Sequence, residues 1–132
     1  MYSDDGGDTF SEPKRIYLGR CWEPAMLQLP SGEIQMYITD SNEVANSLSQ
    51  PCTMLIRSFD GGETWQGKEY CTYRDGEIIS RTFDERGSYD GMPSGVLLDD
   101  NYGIAVSIEV WSSMFKVDQT PVIVKTDMDA NW

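Results

Sequence analysis

Apolar residues in this chain fall into short runs, several of which alternate with polar ones. Ile34-Gln35-Met36-Tyr37-Ile38-Thr39, Thr53-Met54-Leu55-Ile56-Arg57, Ile104-Ala105-Val106-Ser107-Ile108-Glu109 and Val122-Ile123-Val124-Lys125 suit strands. Gly, Pro, Asp, Asn or Ser bounds each run, as tight turns between strands require. Leu29-Pro30-Ser31-Gly32-Glu33-Ile34 reads as a hairpin whose glycine can take the positive φ of the turn. The region 40–50 is polar and reads as a loop, and no segment sustains a helical period. The pattern predicts an all-β fold.

Internal repetition adds organisation. Ser3-Asp4-Asp5-Gly6-Gly7-Asp8-Thr9-Phe10 returns as Ser58-Phe59-Asp60-Gly61-Gly62-Glu63-Thr64-Trp65, both fitting Ser-x-Asp-x-Gly-x-Thr-aromatic. The stretch Glu23-Pro24 through Ile34 resembles Met92-Pro93 through Ile104, with one residue inserted. Val124-Lys125 through Trp132 looks like a worn third copy of the turn. Repeat units of about 11–65 and 66–132 follow, preceded at 3–10 by the end of another unit's turn. In each turn a Ser hydroxyl and an Asp carboxylate can accept backbone N–H groups, and glycine takes a shape costly for other residues. The aromatic residue then buries its ring against the sheet. Asp4, Asp5 and Asp8 suggest Ca²⁺, but their spacing is not that of an EF-hand loop, and turn chemistry accounts for them.

Composition narrows the chemistry. The chain has 132 residues, the size of one domain, and is 39% hydrophobic and 11% aromatic, enough apolar surface for a core. Lys+Arg number 10 against 22 Asp+Glu, a net charge of -12 that disfavours nucleic acid and anionic membranes as partners. No run reaches the roughly 18–20 apolar residues of a membrane helix, so membrane insertion is not expected, and residues 1–7 show no basic-then-apolar leader. The absence of histidine excludes Ser-His-Asp and Cys-His catalysis within this chain, and a His-based zinc site. Cys21, Cys52 and Cys71 show no Cys-x-x-Cys spacing and read first as buried or free thiols. Cys52 and Cys71 lie six residues outside either end of the 58–65 turn. They would face each other if the flanking strands paired without a bulge.

The two eight-residue turns resemble the Asp-box, or BNR, repeat. The phrases Trp22-Glu23-Pro24-Ala25-Met26-Leu27-Gln28-Leu29-Pro30-Ser31-Gly32-Glu33 and Tyr89-Asp90-Gly91-Met92-Pro93, the latter followed by Ile108-Glu109, are more specific. Together they resemble the sialidase-like superfamily of six-bladed β-propellers, which includes exo-α-sialidases and exo-arabinanases, and lie nearer the exo-arabinanase side. The resemblance implies about two four-stranded antiparallel blades, with the box between third and fourth strands and Asp5 and Asp60 structural on the outer rim. It implies a partial propeller domain over 1–132, because six blades at this repeat length need roughly 350 residues. No three arginines here align with the sialidase arginine triad.

By the same resemblance, paired glutamates from neighbouring blades perform retaining hydrolysis of a glycan. Glu23 and Glu109 are the catalytic candidates. The chemistry needs carboxyls about 5–5.5 Å apart, one as nucleophile and one as acid and then base. The plainer reading makes both solvated charges, Glu109 at a strand end. Trp22, Tyr89 and Asp90 are the substrate-binding candidates. Trp22, Trp111 and Tyr89 either stack on sugar or pack between blades. Asp90 either meets a sugar hydroxyl or is a turn residue before Gly91, while Tyr17 and Tyr37 read as core. No metal or cofactor is expected, the partners are a glycan and the missing blades, and the compartment implied is secreted or periplasmic. A non-catalytic glycan- or protein-binding Asp-box propeller is the alternative. Two blades alone would expose apolar faces, so the isolated chain is expected to be unstable or inactive.

Overall fold

The computed structural model describes residues 1–41, 51–82, 87–98, 103–113, 116–127 and 132. Most of the loop expected at 40–50 and residues 128–131 of the worn third repeat lie outside them. Nine strands and no helix are found among the described residues: β1 Tyr17–Leu18, β2 Cys21–Gln28, β3 Ile34–Asp40, β4 Cys52–Ser58, β5 Cys71–Thr72, β6 Glu77–Ser80, β7 Ser88–Leu97, β8 Ile104–Ser112 and β9 Val117–Thr126. The fold is all-β.

Strands β2-β3-β4-β6 form one antiparallel sheet and β7-β8-β9 another, while β1 pairs in parallel with β5. Sheets of four and three strands in chain order are consistent with consecutive propeller blades. The second has three strands among the described residues where four were expected. The Leu29–Ile34 hairpin joins β2 to β3 with Gly32 at φ 92°, its N–H donating to Leu29 O at 2.9 Å.

Strand β3 is an inner strand of the first sheet, and alternation sends its side chains to two cores. Tyr37 pairs with Leu55, and both join Leu29, Ile104, Val106, Ile108 and Val110 against the second sheet. Met36 and Ile38 pair with Ile56 and Met54 and face the other way, onto Trp65 and Cys71. Full burial of each large apolar side chain contributes about 2 kcal/mol. Gly95 on β7 lets the sheets approach: a Cβ there would stand 2.7 Å from the Tyr37 ring. Tyr37 is core as expected, its hydroxyl bonded to Gln35, whereas Tyr17 is half-buried and bonded to Asp40.

Both Asp boxes close by the same bonds. Gly7 N–H donates to Ser3 Oγ, and Gly62 N–H to Ser58 Oγ, each at 2.8 Å. Asp5 accepts from Thr9 N–H at 3.0 Å and Thr9 Oγ1 at 2.6 Å, and Asp60 from Thr64 N–H at 2.8 Å and Thr64 Oγ1 at 2.5 Å. Hydrogen bonds from Thr64 hold the Asp60 carboxyl down at about 2, and those from Thr9 hold Asp5 lower still. The boxes differ in their last residue: Trp65 is 3% exposed and Phe10 63%.

The supposed Cys52–Cys71 pairing does not occur, and all three cysteines are free thiols. The strand that returns beside β4 is β6, whose Ser80 pairs with Thr53, whereas Cys71 sits on β5 opposite Tyr17. Cys71 Sγ instead meets Trp65 O at 3.1 Å, and Cys52 Sγ accepts from Arg81 at 3.3 Å.

Exposed apolar side chains are spread over the outer faces, among them Trp22, Met26, Phe10, Val96 and Ile123. No helix among the described residues is long and apolar enough to cross a membrane.

Candidate functional site

The site is built from two bulges in corresponding strands. In β2 the register with β3 shifts between Trp22 and Ala25, and Glu23 takes φ 56°. In β7 the register with β8 shifts between Gly91 and Ser94, and Met92 takes φ 52°. Each of these two left-handed residues precedes a proline, so both bulges coincide with the repeated X-Pro step. A bulge frees polar groups from the ladder and re-aims the side chain. Here that turns Glu23 towards the second sheet and leaves the Met92 N–H to meet it.

Glu23 Oε2 accepts three hydrogen bonds: from Thr39 Oγ1 at 2.7 Å, Tyr89 OH at 3.0 Å and Met92 N–H at 3.0 Å. The first donor stands on β3 of its own sheet; the other two belong to β7. Burial pushes the Tyr89 phenol up to about 12, and the bond to Glu23 and the charges of Glu23 and Glu109 push the same way. Tyr89 therefore keeps its proton and acts as donor at neutral pH. Glu109, half-buried on β8, pairs with Gly91 on one side and Pro121 on the other.

Tyr89 and Trp111 are directly opposed on β7 and β8. With Met92, Glu109, Asp118 and Gln119 they line a cavity of about 480 Å³. Two larger or comparable hollows lie elsewhere: one of about 650 Å³ between the second Asp box, the segment 11–16 and β3, and one of about 420 Å³ at Lys68–Asp75. Neither contains the residues singled out by sequence.

The structure thus brings Glu23, Tyr89 and Glu109 to one end of neighbouring sheets. Trp22 is half-exposed on β2 opposite Thr39 and is not among the cavity's lining residues. Asp90 is not a turn residue: it lies inside β7 opposite Val110, is 1% exposed, and accepts from Ser80 Oγ at 2.5 Å. Gly91 is required for another reason, since a Cβ there would lie 2.5 Å from the Tyr89 ring and 2.6 Å from Thr39 Oγ1. Its bare backbone lets the tyrosine fold across to Glu23.

Sequence reasoning missed Thr39, the Met92 N–H, Asp118 and Gln119. Thr39 ends an alternating strand and carries no local mark. Met92 had one available signal, its alignment with Glu23 in the repeat. No cluster of His, Cys, Asp and Glu suited to a metal ion occurs among the described residues.

The BNR/Asp-box repeat family matches residues 56–66, the end of β4 and the second box. An anhydrosialidase of Macrobdella decora is similar to this chain, 35% identical over 71 residues. That stretch is 52% of this chain and 8% of the relative, so the chain spans a small part of the protein it matches. No solved structure gives a significant match.

Proposed function

We propose, for a chain that is sialidase-like and carries BNR/Asp-box repeats, that Glu23 and Glu109 are the carboxylate pair of an exo-acting, retaining glycoside hydrolase. The observation that carries this reading is the reach of Glu23 across to Tyr89 and Met92, beside a cavity that Glu109 and Trp111 line. Two carboxylates at one end of adjoining sheets, beside a cavity with an aromatic wall, suit attack on and departure from one anomeric carbon.

The roles divide by hydrogen bonding. Glu23 Oε2 is occupied by donors, which fix the carboxylate and leave Oε1 to attack the anomeric carbon. Glu109 donates its proton to the departing glycosidic oxygen, and the sugar becomes esterified to Glu23. Glu109 then takes a proton from water as that water displaces Glu23, restoring both carboxyls with net retention. Tyr89 and the Met92 N–H are positioning groups. The similarity to an anhydrosialidase supports a glycan as partner, and action on glycans suits a secreted or periplasmic protein.

The test is hydrolysis of aryl glycosides by the intact protein. Glu23→Gln and Glu109→Gln should each lower kcat by at least about a hundredfold. Azide should rescue Glu109→Gly with a product of retained anomeric configuration, and Glu23→Gly with the inverted one. An intact protein that binds glycans but hydrolyses none would establish the non-catalytic alternative instead.

A further inference from the structure

We propose that Gln119 is a substrate-recognition residue, its side-chain amide presented to a hydroxyl of the bound sugar by a third bulge. The proposal rests on the glycosidase reading above and adds the residue that selects one hydroxyl. Between the pairs Val110↔Thr120 and Ser112↔Val117 the register of β8 with β9 shifts. Trp111 is the one β8 residue in that interval, and Asp118 and Gln119 both stand opposite it. Successive residues of a regular strand point to opposite faces. Here both line the cavity of about 480 Å³ with Trp111 and Glu109. The extra residue is what brings the second side chain in.

The shared scaffold does not call for this bulge. Seven β8–β9 pairs, from Ile104↔Thr126 to Val110↔Thr120, repeat the seven β3–β4 pairs from Ile34↔Ser58 to Asp40↔Cys52, and the shift comes after them. The bulge is also costly. Gln119 takes φ 45°, a shape crowded by any Cβ, and Gln lacks the short polar side chain with which Asn or Asp eases it. Glu23 and Met92 share that shape, and each supplies a group to the site, a carboxylate and the N–H that meets it. Gln66, left-handed at φ 49° just past the second Asp box, uses its amide on Asp75 O at 3.2 Å. The Gln119 amide, exposed on β9, carries both donors and an acceptor. A sugar ring packed on the Trp111 indole directs its rim of hydroxyls to the residue opposite. A site built to pair with a hydroxyl rejects the analogue lacking it.

The test measures hydrolysis by the intact protein of an aryl glycoside and of its analogues deoxygenated at one ring position each. Gln119→Gly removes the amide and relaxes the backbone. Its melting temperature should hold or rise, while kcat/KM on the parent glycoside falls about tenfold. Gln119→Asn keeps a residue that tolerates the left-handed shape, but its amide stops a methylene short, so the same fall is expected. One deoxy analogue should be cleaved equally by the native protein and both variants, because it lacks the hydroxyl that Gln119 meets. Gln66→Gly, outside the site, should leave every rate unchanged. The proposal is overturned if the Gln119 variants match the native protein on the parent glycoside, or if Gln66→Gly lowers the rates alike. A loss by the same factor on every analogue, as a merely structural role would give, also overturns it. Loss of the glycosidase reading is separable. If no glycoside is cleaved, the methyl glycosides of the same series are titrated against the Trp111 indole N–H resonance, assigned through Trp111→Phe. Binding of one deoxy sugar insensitive to Gln119→Gly would then sustain this proposal, and no shift with any sugar would remove it. Conversely, hydrolysis that needs Glu23 and Glu109 but not Gln119 keeps the glycosidase reading and removes this one.

Discussion

Glu23 and Met92 occupy the same place in two successive sheets, and the backbone N–H of one donates to the carboxylate of the other at 3.0 Å. Both are left-handed, both precede proline, and both sit in a bulge of the first strand of their sheet. The duplicated device has been put to two uses, a carboxylate in the first copy and its backbone donor in the second.

Tyr89→Phe removes one of the three donors to Glu23 and nothing from the core. The lost bond should cost about 1 kcal/mol in urea unfolding and lower kcat/KM by about tenfold through misplacement of the carboxylate. Unchanged kinetics would mean that Thr39 and Met92 suffice to hold Glu23.

Met92→Gly and Met92→Val should differ in stability, the valine variant being the weaker. At φ 52° glycine relieves a strain of about 1–2 kcal/mol, less its larger unfolded-state entropy, so the melting temperature should hold or rise slightly. Valine, stiff at Cβ, should lower stability by about 1–2 kcal/mol. Both keep the N–H that meets Glu23. A stable valine variant would argue that the bulge relaxes.

Gly91→Ala and Gly95→Ala separate site from scaffold. The methyl of Gly91→Ala collides with the Tyr89 phenol, half-buried and able to swing outward. Activity should fall, and stability should drop by about 1 kcal/mol with the lost Tyr89–Glu23 bond, less than for the second variant. The methyl of Gly95→Ala collides with Tyr37, which is 0% exposed and has nowhere to go, so stability should drop by about 1–3 kcal/mol. Equal melting curves for the two variants would contradict this packing.

Asp60→Ala should lower the urea midpoint more than Asp5→Ala, because the box around Asp60 anchors buried Trp65 and the other ends on exposed Phe10. The Asp60 carboxyl is held down at about 2 by Thr64, below the unfolded value near 4. Its contribution is complete above about pH 4 and lost as pH falls through about 2. The gap between native and Asp60→Ala midpoints should close over that window, and a gap independent of pH would refute the assignment.

Much of this protein was legible in one dimension. Strands β3, β4 and β8, the Leu29–Ile34 hairpin and the closure of both Asp boxes depend on neighbours a few residues apart, and alternation and turn chemistry record such neighbours directly. Glu23 could be singled out for the same reason, since Trp-Glu-Pro is an unusual place for a charge. Tyr89 and Glu109 were nameable, but their meeting was not. The Cys52–Cys71 proposal failed because it assumed that the chain leaving the second box pairs at once with β4; β5 goes instead to β1, and only β6 returns.

The amino-acid order alone thus determined that segments such as β3, β4 and β8 extend and where the Leu29–Ile34 hairpin and the two Asp boxes turn. Tertiary structure decided where β2 and β7 bulge and what those bulges face. Asp90 became a buried partner of Ser80, Gly91 a clearance for a ring, and Tyr89 the bridge from one sheet to a glutamate on the other. The bonds to Glu23 join residues 16 to 69 positions apart, and their geometry follows from how the two sheets pack, a relation that no local periodicity encodes.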